Sequence, residues 1–193
     1  MSLPVIILIF IILFLLLVAG LLWLRKFQYD SIELNFSELG KQLGGGVARS
    51  NVFQRPYFRG DMNGKEVSIG ITSERHKGNR DIYLYYTIAC QSSMQLSIMN
   101  KEWLQKRENN SGHEGIAIAG GKYLLQTSQA IPSNLKTNIE KTIKQLPDFA
   151  YILVADTGII LELISTDLIE DTRVDTVMQV LQGMNTLSEL LLK

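Results

Sequence analysis

The sequence predicts an α+β protein, in which one N-terminal transmembrane helix is followed by a single domain with a mainly antiparallel sheet and two to three packed helices. Three observations predict this fold. An uninterrupted apolar run opens the chain, apolar residues then recur with the period of two that is typical of strands, and helical spacing returns in two later segments. We expect about six to eight short strands, without the alternation of strands and helices that indicates a parallel sheet.

The apolar run from Leu3 to Leu24 contains no ionisable side chain. A helix of about 22 residues is about 33 Å long, which matches a hydrocarbon thickness of about 30 Å. Because the run also lacks the polar side chains of an ion or proton path, we interpret it as an anchor. The alternative is a cleaved signal sequence with Val18-Ala19-Gly20 as its cleavage site. The length of the run and the lack of a basic segment before it favour a retained anchor.

The first basic residues, Arg25 and Lys26, follow the apolar run directly. Since Lys and Arg concentrate on the cytoplasmic side of membranes, we expect the N-terminus outside and the domain in the cytoplasm or on the equivalent side. The predicted location is therefore the cell (inner) membrane or an organelle membrane, crossed once, with residues 3–24 in the lipid bilayer. Cys90 is the one cysteine of the sequence, which excludes an intrachain disulfide and agrees with a reducing compartment.

The chain divides into three predicted parts. Residues 1–26 form the transmembrane anchor, residues 27–50 a short helix with a glycine-rich hinge, and residues 51–193 the soluble α+β domain. The short helix is expected over 36–43. Glycines 44–46 end it, because a helix orders glycine at a high cost in entropy, and they are expected to be the hinge between anchor and domain.

The domain is predicted to begin with a meander of antiparallel strands. Asn63-Gly64 supplies two residues that tolerate the positive φ of a hairpin turn. The meander strands are expected at 52–59, 66–73, 81–91 and 95–99. The polar stretch from Lys101 to Glu114, around Trp103 and Leu104, is predicted to be a surface loop or a short helical turn.

The second half of the domain is predicted to contain two helices and four shorter strands. One helix begins at Pro132 and stops at Pro147, and the last helix starts near Asp171 or Thr172 and places an apolar stripe on the sheet. The sequence Asp156-Thr157-Gly158 is typical of a hairpin turn. The four strands are expected at 115–119, 122–127, 151–155 and 159–165.

Composition excludes one class of partner. The net charge is +0 and the pI about 6.7, so the chain lacks the positive surface that binding to the phosphates of a nucleic acid requires. Beyond Arg25-Lys26 no polybasic segment indicates attraction to anionic lipids.

No catalytic, cofactor-binding or metal-binding residues are predicted. His76 and His113 stand in polar turns, and neither has a partner at the spacing of metal ligands. Cys90 closes an apolar strand, where a thiol is inert unless a nearby cation lowers its pKa. Asp156-Thr157-Gly158 matches the loop of aspartic proteases, but a single copy between two apolar strands is better interpreted as a turn. We therefore expect no cofactor, no metal and no enzymatic activity.

Two surface features leave alternatives open. An acidic stretch is interpreted as a solvated loop with a negatively charged helix N-terminus, and the alternative is a hard-cation site. Tyr83 and Tyr85 lie two residues apart on one strand face and are expected to cover the sheet or to contact a partner. Stacking on nucleic-acid bases is the alternative, which the scarcity of nearby basic residues disfavours. The acidic stretch comprises Glu162, Asp167, Glu170, Asp171 and Asp175.

The function predicted from these features is that of a single-pass, membrane-anchored accessory subunit or assembly factor. It would bind a membrane protein complex through its helix and its cytoplasmic-side domain. The alternative is a membrane-tethered domain that binds a lipid or another small molecule, since a curved sheet capped by helices can enclose an apolar pocket. An enzyme with an unfamiliar site is a third alternative, and it would have to use Asp156, Glu162 or the histidines.

Overall fold

The computed structural model describes residues 3–76, 78–107 and 115–192. In these ranges the chain forms one nine-stranded antiparallel sheet and five α-helices. The predicted α+β class is confirmed, although the strands slightly outnumber the six to eight that were expected.

The helices and strands are as follows. The helices are α1 (Leu3–Leu43), α2 (Lys101–Arg107), α3 (Ser133–Ile143), α4 (Leu168–Asp171) and α5 (Val174–Leu191). The strands are β1 (Gly46–Ala48), β2 (Tyr57–Met62), β3 (Lys65–His76), β4 (Asn79–Ala89), β5 (Leu96–Asn100), β6 (Ile116–Ile118), β7 (Tyr123–Thr127), β8 (Phe149–Ala155) and β9 (Gly158–Ser165). A single 3₁₀ turn, Ala119–Gly121, joins β6 to β7.

Helix α1 is one continuous helix of 41 residues with two different halves. Its first half is the apolar run, which is long and apolar enough to cross a membrane. Its second half buries one face in the domain core, at the helical spacing that packing against a sheet requires. The buried residues of that face are Tyr29, Ile32, Phe36 and Leu39. The anchor and the first core helix are therefore a single helix.

The structure differs here from the expectation of a hinge at residues 44–46. These glycines follow the buried face of α1 and do not separate it from the anchor. Gly44 has a φ of +63°, which ends the helix. The N–H of Gly45 donates a hydrogen bond of 3.1 Å to the carbonyl of Gly40, and the chain then enters β1. Whether 1–26, 27–50 and 51–193 behave as separate parts stays a prediction.

The strand order is β1-β2-β3-β4-β9-β8-β5-β7-β6, with every neighbouring pair antiparallel. Strands β1 to β4 form a meander, but β5 does not continue it, because the hairpin of β8 and β9 lies between β4 and β5. The expectation that residues 95–99 close the first meander was wrong. A period of two identifies a strand without naming its neighbour.

Two turns confirm the local interpretation of the sequence. Asn63 and Gly64, with φ of 57° and 78°, connect β2 to β3. Asp156 and Thr157 connect β8 to β9, whose last pair is Ala155 with Gly158.

The strand expected at 52–59 starts later, at Tyr57. Residue 56 is proline, which has no N–H for a sheet. The side-chain oxygen of Asn51 accepts a hydrogen bond of 3.0 Å from the N–H of Phe53, which forms a turn instead of a strand.

The two faces of the sheet have different surroundings. One face is covered by α1, α3 and α5 and holds the core, which includes Phe58, Ile69, Tyr86 and Leu161. At the edge of this core the ammonium of Lys65 donates hydrogen bonds to Asn185 (2.8 Å) and Ser188 (2.6 Å) of α5. The opposite face, which we call the open face, is covered locally by α2.

Candidate interaction surface

The open face carries a row of side chains that runs across five neighbouring strands. Cross-strand pairing aligns Gly70 with Tyr85, Tyr85 with Glu162, and Glu162 with Tyr151. Tyr57 of β2 extends the row beyond Gly70. We call these five residues the aromatic row. Two of its members, Tyr85 and Glu162, were predicted from the sequence to have unrelated roles, because a row depends on the register of strands that are far apart in the chain.

One end of the aromatic row is open to solvent. The rings of Tyr57 and Tyr85 have centroids 6.2 Å apart, and the guanidinium carbon of Arg59 lies 5.4 Å from the centroid of Tyr57. A Cβ atom at Gly70 would lie only 2.5 Å from the Cε1 atom of Tyr85, so the glycine lets this ring lie across β3. Burial raises the pKa of Tyr85, and the hydroxyl stays neutral.

The other end of the row is covered by α2. The indole N–H of Trp103 donates a hydrogen bond of 3.3 Å to the hydroxyl of Tyr83, and its ring centroid lies 5.7 Å from that of Tyr151. The guanidinium of Arg107 stacks 4.3 Å from the centroid of Trp103 and forms an ion pair with Glu74. The stretch that was predicted as a loop or helical turn is thus a helix over 101–107, and residues 108–114 lie outside the described residues.

Glu162 is half-buried between these two ends. Burial raises the pKa of its carboxyl, although the hydroxyl of Tyr151 and the charge of Arg107 act in the opposite direction. Burial and the neighbouring carboxylate also raise the pKa of Tyr151 to about 12. Both shifts favour the neutral forms of Glu162 and Tyr151 at the centre of the row.

A shallow groove lies beside the aromatic row. It consists of two adjoining depressions of ≈ 360 Å³ and ≈ 660 Å³, which share Ala155 and Thr157. We call it the open-face groove. Its lining mixes hydroxyl groups with apolar side chains, of which Leu153 is 40% exposed. The side chains that line it include Arg59, Ser68, Thr87, Ile160, Leu153 and Ser97.

The candidate catalytic residues that the structure describes lie on different elements of the fold. Cys90 follows β4 directly, and burial raises the pKa of its thiol, which opposes the formation of a nucleophilic thiolate. His76 ends β3, and His113 lies outside the described residues. Asp156 accepts a hydrogen bond of 3.0 Å from the side chain of Gln95 at one end of the open-face groove.

The acidic stretch is dispersed. Asp167 accepts hydrogen bonds of 3.0 and 3.3 Å from the N–H groups of Ile169 and Glu170 and so caps α4. Asp171 accepts one of 2.7 Å from Ser165. Glu162 lies on the open face. Among the residues that the structure describes, no three His, Cys, Asp or Glu side chains gather as metal ligands would. Asp167 thus lies at a helix N-terminus, whereas Glu162 belongs to a strand and not to a loop.

The two tyrosines singled out in the sequence have different environments. Tyr83 is only 2% exposed, and its ring packs on the sheet beneath Trp103. Tyr85 keeps part of its ring accessible next to the open-face groove. Tyr57 and Tyr151 were missed, because nothing in the sequence assigns them to the same face as Tyr85.

Comparison with known proteins bears on the fold. No family model matches this sequence, and no curated protein matches it. The structure is similar to the crystal structure of the mycobacterial trehalose monomycolate transport factor A, TtfA, with a TM-score of 0.54. The match covers 84% of this chain and 96% of TtfA. The likeness concerns the fold. At 8% sequence identity, TtfA assigns no residue of this chain to a function.

Proposed function

We propose that this protein is a non-enzymatic, membrane-anchored accessory factor whose domain binds a second protein of the same membrane through the open-face groove. The observation that carries the proposal is the continuity of α1, which joins the apolar run to the buried face of the domain without a break. The groove then has a fixed orientation relative to the bilayer. The positions of Arg25 and Lys26 support a domain on the cytoplasmic side.

A fixed orientation favours binding to a partner in the same membrane. Association costs free energy because the two molecules lose rotational and translational freedom, and a domain that is already oriented loses less of it. A domain on a flexible tether would need no buried helix that continues from the anchor. Tyr29 is buried only four residues after Arg25, about one helical turn, which leaves no room for a flexible segment between anchor and core.

The chemistry of the groove suits a protein partner. Tyrosine and arginine are enriched where protein interfaces gain most of their binding free energy. Tyr57, Tyr85 and Arg59 lie together at one end of the groove, and Ile160 and Leu153 add apolar surface along it. The hydroxyls of Ser68 and Thr87 hydrogen-bond to each other on its floor.

A second candidate function is the binding of a lipid in the same groove. The observation that favours it is the likeness in fold to TtfA, a transport factor for trehalose monomycolate. The two depressions, of ≈ 360 Å³ and ≈ 660 Å³, also fall within the range of roughly 300–1,000 Å³ that small-molecule sites occupy. In this case the protein would carry the lipid, and the anchor would hold the groove near the membrane from which the lipid comes.

A photo-cross-linking experiment in native membranes separates the two functions. A photoreactive phenylalanine analogue replaces Leu153 in the groove, and in a control variant it replaces Gln182, an exposed residue of α5 away from the open face. We expect irradiation of the Leu153 variant to give one defined protein adduct that the Gln182 variant does not form. Adding Tyr57→Ala to the Leu153 variant should reduce the yield of this protein adduct at least about fivefold, which is the effect of losing about 1 kcal/mol of binding free energy.

Two other results would count against the proposal. An adduct whose mass corresponds to a lipid would support the second candidate function. The same set of protein adducts from Leu153 and Gln182 would mean that the groove has no specific partner.

A further inference from the structure

A small pocket with three arginines lies where α1 enters the domain. It has a volume of ≈ 190 Å³ and is lined by Arg25 of α1, Arg55 of the segment before β2, and Arg80 of β4. We call it the arginine pocket. Its other lining residues are Gln28, Tyr29, Ile71, Ile82 and Leu168. These arginines form no polybasic segment in the sequence, because they are 25 to 30 positions apart in the chain and converge only in the fold.

The three guanidinium groups have neutral partners. Arg25 donates two hydrogen bonds of 3.3 Å to the hydroxyl of Tyr29. Arg55 donates to the carbonyl of Ile71 (3.1 Å) and to the hydroxyl of Ser73 (2.6 Å), and Arg80 donates to that same hydroxyl at 3.0 and 3.1 Å. Within the described part of the chain, none of the three forms an ion pair.

Two other arginines of the domain are neutralised by carboxylates. Arg49 donates to the carboxylates of Asp30 (2.8 Å) and Glu33 (2.7 Å), and Arg173 pairs with Glu170 at 3.2 Å. Asp171, three residues after Leu168 of the pocket lining, accepts a hydrogen bond from the hydroxyl of Ser165. The convergence of three unneutralised guanidinium groups is unfavourable unless an anion or solvent compensates it.

The pocket lies at the depth of the lipid headgroups. Arg25 is the first residue after the apolar run, and Tyr29 lies about 6 Å further along the helix axis. The polar region on each side of a bilayer is several Å thick, since the bilayer measures about 40–45 Å with headgroups and about 30 Å without them. The rings of Trp23 and Phe27 stack with centroids 6.2 Å apart at this level, as in an interfacial aromatic belt.

We propose that Arg25, Arg55 and Arg80 bind a phosphate group, carried by the headgroup of a lipid in the leaflet that faces the domain. The guanidinium group is planar and can donate two parallel hydrogen bonds to phosphate oxygens. The pocket is smaller than the roughly 300 Å³ of sites for whole small molecules, so it accommodates the phosphate and leaves the acyl chains in the bilayer. This site is separate from the open-face groove. It would fix the height and rotation of the domain on the membrane.

Native mass spectrometry of the full-length protein tests this site. The protein is released from micelles that contain phosphatidylglycerol, and the number of bound lipids is measured against lipid concentration. We expect one phosphatidylglycerol to bind with an affinity at least about tenfold higher than that of further copies. We expect R55Q/R80Q to lower the affinity for this first phosphatidylglycerol at least about tenfold, because charge-assisted hydrogen bonds are lost. The control K141Q/R173Q removes the same charge from exposed positions outside both the pocket and the open-face groove and should change the affinity less than about twofold.

Further variants keep the test decisive. R25Q removes only the contacts with Tyr29, so it tests the site even if R55Q/R80Q fails to fold, and we expect the affinity for phosphatidylglycerol to fall at least about threefold.

Titration with inorganic phosphate identifies the source of the anion. For a headgroup site, free phosphate is expected to compete with the lipid only at millimolar concentration. Tight binding of free phosphate that displaces the lipid would overturn the lipid assignment. Equal retention of lipid by R55Q/R80Q and K141Q/R173Q would overturn the site.

Discussion

Replacement of Phe36 by alanine is expected to lower the free energy of unfolding of the domain by about 3–5 kcal/mol, the usual cost of truncating a buried phenylalanine. Phe36 belongs to the second half of α1, has 0% exposure, and packs with its ring centroid 6.1 Å from that of Phe58 in β2. The loss is measured by chemical denaturation of the detergent-solubilised protein, followed through the circular dichroism of the domain.

Leu34 provides a matched control on the same helix. It lies two residues from Phe36 but is 71% exposed. Since leucine and alanine are both good helix formers, Leu34→Ala should change the free energy of unfolding by less than about 0.5 kcal/mol. Equal effects of the two substitutions would mean that this part of α1 is a linker and does not belong to the core.

Gly45→Ala is expected to destabilise the domain by about 2–3 kcal/mol, at the upper end of the cost of overpacking. A Cβ atom at this position would collide with the carbonyl oxygen of Arg59 and lie 2.6 Å from the Cα atom of Gly60. Both obstacles are backbone atoms of β2, which cannot rotate away as a side chain can. The substitution must therefore separate the end of α1 from the sheet.

The neighbouring glycine gives the control. A Cβ atom at Gly46 would have nothing within 4 Å, so Gly46→Ala should be nearly neutral in thermal unfolding. If the triplet were a flexible hinge, alanine would be tolerated at both positions or would stabilise both by restricting the unfolded chain. A difference between them, with only Gly45→Ala lowering the unfolding temperature, is the expected result.

The sequence was sufficient to predict features that depend on local physics. The apolar run, the hairpin turn at Asn63-Gly64 and the helix after Pro132 each follow from the spacing and conformational preference of adjacent residues. The last helix was expected to start near Asp171 or Thr172, but Asp171 ends the short helix α4 and α5 begins at Val174. The fold class followed from the same signals. It did not require knowledge of which strands pair.

The extent of α1 was underestimated although its signal is present. Tyr29, Ile32, Phe36 and Leu39 recur at helical spacing directly after the apolar run. The glycines at 44–46 predict the end of a helix, and α1 does end at Leu43, but they carry no information on where that helix begins. Their role is steric at Gly45 and conformational at Gly44, and neither role can be deduced without the position of β2.

The candidate sites depend on contacts between distant parts of the chain. The aromatic row requires Glu162 to lie opposite Tyr85 across β4 and β9. The arginine pocket requires α1, β4 and the segment before β2 to meet at one end of the sheet. Periodicity assigns each of these residues to a strand face or a helix face but gives no register between elements, so neither site could be predicted from the sequence.

Hydrogen exchange of the full-length protein in lipid nanodiscs tests most directly whether one unbroken helix joins the membrane to the domain. We predict that the backbone amides of residues 25–32 exchange slowly, as those of 33–39 do, because a continuous helix opens only with the core that it belongs to. The exposed segment 50–54, which lies outside helices and strands, provides the fast reference. Exchange of residues 25–32 as fast as that of 50–54 would reveal a hinge beside the bilayer and contradict a fixed orientation of the domain.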